Sequence, residues 1–210
     1  MQAEAGAPLT AQPDPPLARF PNAPPRRRRL FVLLTGVAVL SYVVDQASKA
    51  WAVAQLSGEA PRDLLGTFLR LDLIRNAGAA FSLGNGNTWV LTLIAVVVLG
   101  VVILTSRRLG SVGWAWAFGL LLGGALGNLT DRIVRAPGPG RGHVVDFLDY
   151  NGWFIGNAAD IAIVSAALLI AVLAARGIGV DGTRERHQPE GKHAARADSA
   201  DTGPTKAPDA

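Results

Sequence analysis

The chain has 210 residues, half of them apolar and only 17% charged, where a soluble domain carries about a quarter. Its net charge of +4 comes without the basic-aromatic interleaving of a nucleic-acid surface. Cysteine is absent, which excludes disulfides, thiolate nucleophiles and cysteine metal sites, and no His-Glu-x-x-His run offers a zinc-protease helix.

The charges are segregated to the two ends and to the links between long apolar runs, the pattern of a small polytopic membrane protein. Residues 1–29, rich in Pro and Ala and ending in Arg26-Arg27-Arg28-Arg29, read as a disordered cytoplasmic tail. Residues 30–54 form a first predicted span, too long for the apolar region of a cleaved signal and carrying Asp45 and Lys49. Further spans are predicted at about 89–105, 113–134 and 157–175, each long enough to cross a hydrocarbon core of roughly 30 Å.

Between the first two spans, Leu69, Leu71 and Leu73 alternate with Arg70 and Asp72, which is strand periodicity, and Gly84-Asn85-Gly86-Asn87 is a turn signal. A small extracytoplasmic β platform is therefore expected over about 57–88. Residues 177–210, charged and rich in Gly and Ala, read as a second disordered tail. The expected fold is an all-α membrane protein of four antiparallel transmembrane helices carrying that platform. Arg26–Arg29, Arg107, Arg108 and Arg176 fall on one side and predict that both termini are cytoplasmic, against an opposing cluster of Arg132, Arg135 and Arg141.

Helix rise then places the polar residues in depth. Asp45 and Asn128 each lie about 22 Å along their spans, Asp131 one turn beyond, and Asp160 about 5 Å inside the outer end of the last span. Three antiparallel helices thus bring polar groups to one level near the outer face, where Asp146 and the platform also lie.

Ionisable residues at membrane depth mark functional sites by default. Asp146 and Asp160 are the candidates for chemistry, because two adjacent carboxylates cannot both ionise cheaply and can share one proton as an acid-base pair. Asp146, like Asp149, also has a structural reading as a solvated loop acid; Asp160 shares a helical face with Asn157, which can cap the last helix, but one turn in it is not explained as the cap itself. Asp45 and Lys49, at i and i+4, form either an internal ion pair or a device that orients a loop or substrate backbone. Asp131 and Arg132 read as a pair holding the end of the third span. Gly119, Gly123 and Gly127 form a doubled small-residue repeat suited to close helix packing. Ser48 and Lys49 point about 100° apart on a helix, poor geometry for a serine-lysine dyad. A proton-coupled transporter subunit built on Asp45 and a plain membrane anchor are the competing classes.

With these residues in place, the chain resembles the lipoprotein signal peptidases, the type II signal peptidases of bacteria. Five blocks carry the resemblance in order: DQASK at 45–49, NAGAAFS at 76–82, GGALGNLTDR at 123–132, HVVDF at 143–147 and NAAD at 157–160. It implies a membrane-embedded aspartyl endopeptidase acting on lipidated prolipoproteins within membrane lipid, with no cofactor, metal or nucleic acid. The catalytic pair would be Asp146 and Asp160. Asp45, Lys49, Asn76, Gly78, Asn128, Asp131, Arg132, Asn157 and Ala159 would support the site or bind substrate. Gly156 departs from the family pattern, which places Phe directly before the Asn of the last block; here Phe154 stands two residues earlier.

Overall fold

The computed structural model describes residues 25–78 and 88–184. The turn signal at 84–87, residues 79–82 of the NAGAAFS block, and most of both predicted tails lie outside the described residues. The element order is α1 (Pro25–Leu56), β1 (Arg62–Leu65), β2 (Leu69–Asn76), α2 (Thr88–Ser106), α3 (Val112–Val134), β3 (Val144–Tyr150), β4 (Phe154–Gly156) and α4 (Ala158–Ala175). All four helices are long and apolar enough to cross a membrane. The four-helix bundle with a small antiparallel sheet is the expected fold.

α1 begins earlier than the sequence reading has it. Pro25 suits a first helical turn, where its missing N–H costs nothing, so Arg26–Arg29 are helical and exposed rather than part of the tail. Further along, Leu30, Leu34 and Val37 are buried on one face, while Val39, Leu40, Val43 and Val44 remain more than half exposed. In water such a helix would be unstable; in a bilayer the exposed side meets lipid.

α3 is the central helix, packed against α1, α2 and α4. Its small-residue repeat explains the closeness. A β-carbon at Gly119 would run into Val37 and the Leu34 carbonyl, and one at Gly123 into the Ala38 carbonyl and Ser41. At Gly127 it would strike the Asp45 carboxylate itself, and Gly124 lies under the Ala159 carbonyl of α4. The glycines therefore seat α3 directly on the backbones that carry Asp45 and Asp160.

The sheet has the order β1-β2-β3-β4 and is antiparallel throughout. Residues 144–156, read as a loop from the sequence, supply half of its strands. Pairing Ile74 with Asp146 and Asn76 with Val144 places Asn76 and Asp146 on the same side of the sheet. On the other side Val145 and Phe147 pack on Ala52 and Leu56 at the end of α1, with Trp51 edge-on to Phe147. This packing fixes the height of Asp146 relative to the bundle.

The chain after α4 is also ordered further than expected. Gly177, at φ +63°, turns out of the helix while Ile178 N–H donates to the Leu173 carbonyl, and residues through Arg184 fold back on the α2–α3 turn. Gly110 N–H donates to the Val180 carbonyl (2.9 Å) and the Trp114 ring N–H to the Ile178 carbonyl (2.8 Å). The predicted second tail thus begins with a clasp across one end of the bundle.

Candidate active site

The polar side chains of α1, α3, β3 and α4 converge on one network. At its base Lys49 is fully buried and lies 2.9 Å from Asp45 Oδ2, 2.9 Å from Asp131 Oδ2 and 2.9 Å from Asn128 Oδ1. All three ammonium protons therefore have acceptors. Asp131 is also paired with Arg135 (2.6 Å) and accepts from Val145 N–H (3.2 Å), so it joins the third helix to β3. The expected Asp131–Arg132 pair is not the contact formed, since residues one apart point away from each other on a helix and the one-turn neighbour Arg135 is in reach. Two acids and two bases leave this base nearly neutral, the condition under which buried charge is tolerable.

Asp45 forms the expected ion pair and, in place of a loop or substrate backbone, holds a helix turn. One oxygen is held by Lys49 and by Gln46 Nε2 (3.0 Å), and the other accepts from Ala159 N–H (3.0 Å). Gln46 also donates to the Gly127 carbonyl (3.2 Å). The ion pair of α1 thus fixes the first turn of α4, where Ala159 and Asp160 lie. Sequence reasoning did not single out Gln46 or Arg135, although the first stands inside the DQASK block and the second at the i+4 position from Asp131.

Above this base, Asn128 and Asn157 distribute hydrogen bonds to both candidate acids. Asn128 Nδ2 donates to Asp160 Oδ1 (3.0 Å), and Asn157 Nδ2 donates to Asp146 Oδ1 (2.5 Å) and to Asn128 Oδ1 (3.3 Å). Asn76 Nδ2 donates to Asp146 Oδ2 (2.7 Å), while Gly78 N–H, at φ +109°, donates to Asn76 Oδ1 (2.7 Å) and fixes that amide's orientation. Asn157 caps α4 as expected. Contrary to the sequence expectation, Asp160 takes part in the cap as its N3 residue, accepting from Asn157 N–H (3.0 Å) while its own N–H donates to Asn157 Oδ1 (3.1 Å), a reciprocal capping box. The cap holds the Asp160 carboxylate in a fixed place beside Asp146.

Asp146 is 2% exposed and no loop acid. Asp149 is not solvated either; it is buried and accepts from Gly152 N–H (2.7 Å), closing the β3–β4 turn. Burial pushes the Asp146 carboxyl up to about 6; the charge of Asp160 adds to the rise, and the Asn76 and Asn157 hydrogen bonds and Lys49 oppose it. Arg132 stands within electrostatic reach of Asp146, Asp131 and Asp160, and its buried Nη1 has no hydrogen-bond partner among the described residues. Every residue singled out as a site candidate is thereby placed in or against one cluster.

The competing nucleophile has no base. Ser48 Oγ donates to the Asp45 carbonyl (2.9 Å) and Lys49 is spent on its three acceptors. Among the described residues no group of His, Asp and Glu is arranged to hold a metal ion.

Four helices long and apolar enough to cross a membrane, packed around a buried cluster of carboxylates, define a polytopic membrane protein. The family model described as signal peptidase (SPase) II matches residues 37–176. The lipoprotein signal peptidase of Mycobacterium tuberculosis is 46% identical over 180 residues, 86% of this chain and 89% of the relative. That of Streptomyces coelicolor is 46% identical over 175 residues, 82% and 86% of the two chains. A bacterial membrane enzyme solved at 1.9 Å superposes with a TM-score of 0.59 at 26% identity, covering 67% of this chain and 91% of that one. The chain belongs to the signal peptidase II family and is therefore a protease, as the five sequence blocks imply. A transporter subunit is not favoured.

Proposed function

We propose that the chain is an aspartic endopeptidase that removes the signal peptide from diacylglyceryl-modified prolipoproteins, cutting just before the lipidated cysteine. The observation that carries it is the bridging of Asp146 and Asp160 by Asn157, in a chain whose relatives are lipoprotein signal peptidases. One carboxyl of the pair is protonated and the other ionised. The ionised one takes a proton from water as it attacks the scissile carbonyl, and the protonated one stabilises the oxyanion and then protonates the leaving amine. Arg132, a cation within electrostatic reach of the pair whose Nη1 has no partner among the described residues, adds to the stabilisation of the developing negative charge. Asn76, Asn128 and Asn157 hold the acids, and Asp45 and Lys49 hold the helix turn that presents Asp160. Both termini are cytoplasmic in this reading, so the pair works near the outer face of the bilayer, reached by water from one side and by lipid-anchored substrate from the other.

The raised Asp146 value fixes the direction of the pH dependence. Burial and the neighbouring carboxylate keep the Asp146 carboxyl protonated until pH rises through about 6. kcat/KM for a lipopeptide in detergent is expected to fall on the alkaline side with an apparent midpoint near 6 rather than near 4. A profile flat from pH 5 to 8 contradicts this assignment.

The substrate assignment is tested by offering the purified protein matched precursors with and without the diacylglyceryl group. Cleavage is expected with the diacylated precursor and loss of most turnover without it. Equal rates on both would overturn the lipoprotein reading while leaving the protease.

A further inference from the structure

A cavity of about 330 Å³ opens beside Asp160, lined by Tyr150, Phe154, Asp160, Ile161, Val164 and Ser165. Its upper wall is the cross-strand pair Tyr150–Phe154, whose rings stack at 6.1 Å. The Phe154 ring reaches back over position 156, where a β-carbon would meet Phe154 Cε1 at 2.5 Å and Asp160 Oδ2 at 2.9 Å. Gly156 therefore leaves the space that lets an aromatic ring lie next to the candidate catalytic carboxylate. The outer wall consists of Ile161 and Val164, which are 49% and 57% exposed on the side of α4 that meets lipid.

The shape and the chemistry select the occupant. From Asp160 to Ser165 the cavity follows α4 for about 7.5 Å into the apolar part of the helix. A signal peptide crossing the bilayer as a helix, about 10 Å wide with its side chains, does not fit a cavity of this size. An extended peptide would fit but would bring amide and carbonyl groups that must find partners away from water. The lining offers few polar groups for them: the Tyr150 hydroxyl, Ser165 and Asp160, the last committed to the α4 cap and Asn128. A hydrocarbon chain needs no such partners, enters sideways from lipid past Ile161 and Val164, and can be tethered at the Asp160 end.

We propose that this cavity receives one acyl chain of the lipid carried by the substrate beside the scissile bond, with Tyr150, Phe154 and Val164 determining chain-length preference and Gly156 setting the position of the aromatic wall. The assignment rests on the aspartic-peptidase reading of the neighbouring site. Seating the chain would hold the adjacent peptide bond against Asp160, so acyl length would be felt in the rate of cleavage.

The experiment compares kcat/KM for one lipopeptide bearing either two palmitoyl or two butanoyl chains, in wild type, Val164→Trp and Val164→Ala. The wild type is expected to favour palmitoyl, and Val164→Trp, which fills the cavity from its lipid side, to lower that ratio about tenfold. Val164→Ala, which cannot overpack, is expected to lower it less and in the same direction. A ratio that Val164→Trp leaves unchanged overturns the proposal, as does a loss that instead follows replacement of the apolar residues preceding the cut. Turnover surviving in Asp146→Asn would sink the aspartic reading, whereas an inactive Asp146→Asn together with a ratio unchanged in Val164→Trp sinks only the acyl-chain site.

Discussion

Lys49→Met is expected to be the most destabilising single substitution in the chain. It leaves Asp45 and Asp131, both fully buried, facing each other without the ammonium that lies 2.9 Å from each. Removing one member of a buried ion network strands its partners as uncompensated charge, a loss of about 3–5 kcal/mol. Because Asp45 also accepts from Ala159 N–H and Asp131 from Val145 N–H, the damage spreads to the first turn of α4 and to β3. Thermal unfolding in detergent should show a large fall in Tm, and little protein should accumulate in membranes. The double variant Asp45→Asn/Lys49→Met should be less destabilised than the two single effects added, since they share one interaction. A Lys49→Met protein melting with the wild type would mean that the network does not hold the bundle together.

The legible parts of the fold were those with strong periodicity or sustained apolarity. Four long runs announced the helices, and alternation at 69–73 announced β2. The strand Val144–Tyr150 did not declare itself because it is covered on both faces, and such strands lack alternation. Its partner β2 also lies some seventy residues earlier, a pairing no local pattern encodes. Adjacency in sequence suggests Arg132 as the partner of Asp131, but neighbouring residues diverge on a helix and the i+4 position belongs to Arg135. Asp149 looked like a loop acid because the turn it closes is formed by strands that were not foreseen. Gly177, just past the α4 C-cap Arg176, is a readable stop signal, but the clasp it starts depends on contacts with the distant α2–α3 turn.

The site itself was more legible than the sheet that completes it. Polar residues are rare in membrane helices, so Asp45, Lys49, Asn128, Asp131 and Asp160 stand out, and helix rise alone brings Asp45, Asn128, Asp131 and Asp160 near one level. What depth could not give was the direct chemistry of contact: that Asn157 touches both the cap and Asp146, or that Asn76 reaches Asp146 across the β2–β3 ladder.

Asp146→Asn and Asp160→Asn are each expected to lower cleavage by at least about 10³-fold, because an amide can neither take up nor release the proton the reaction moves. Neither acid belongs to the Lys49 ion network, so the variants should insert and melt close to the wild type, with Asp160→Asn losing in addition part of its capping box. The decisive measurement is mass-spectrometric quantification of signal-peptide release from a diacylated precursor by purified wild type and the two variants, each first shown to be folded. Release by the wild type alone is the predicted result. Wild-type turnover by either folded Asn variant would contradict the assignment of this aspartate pair.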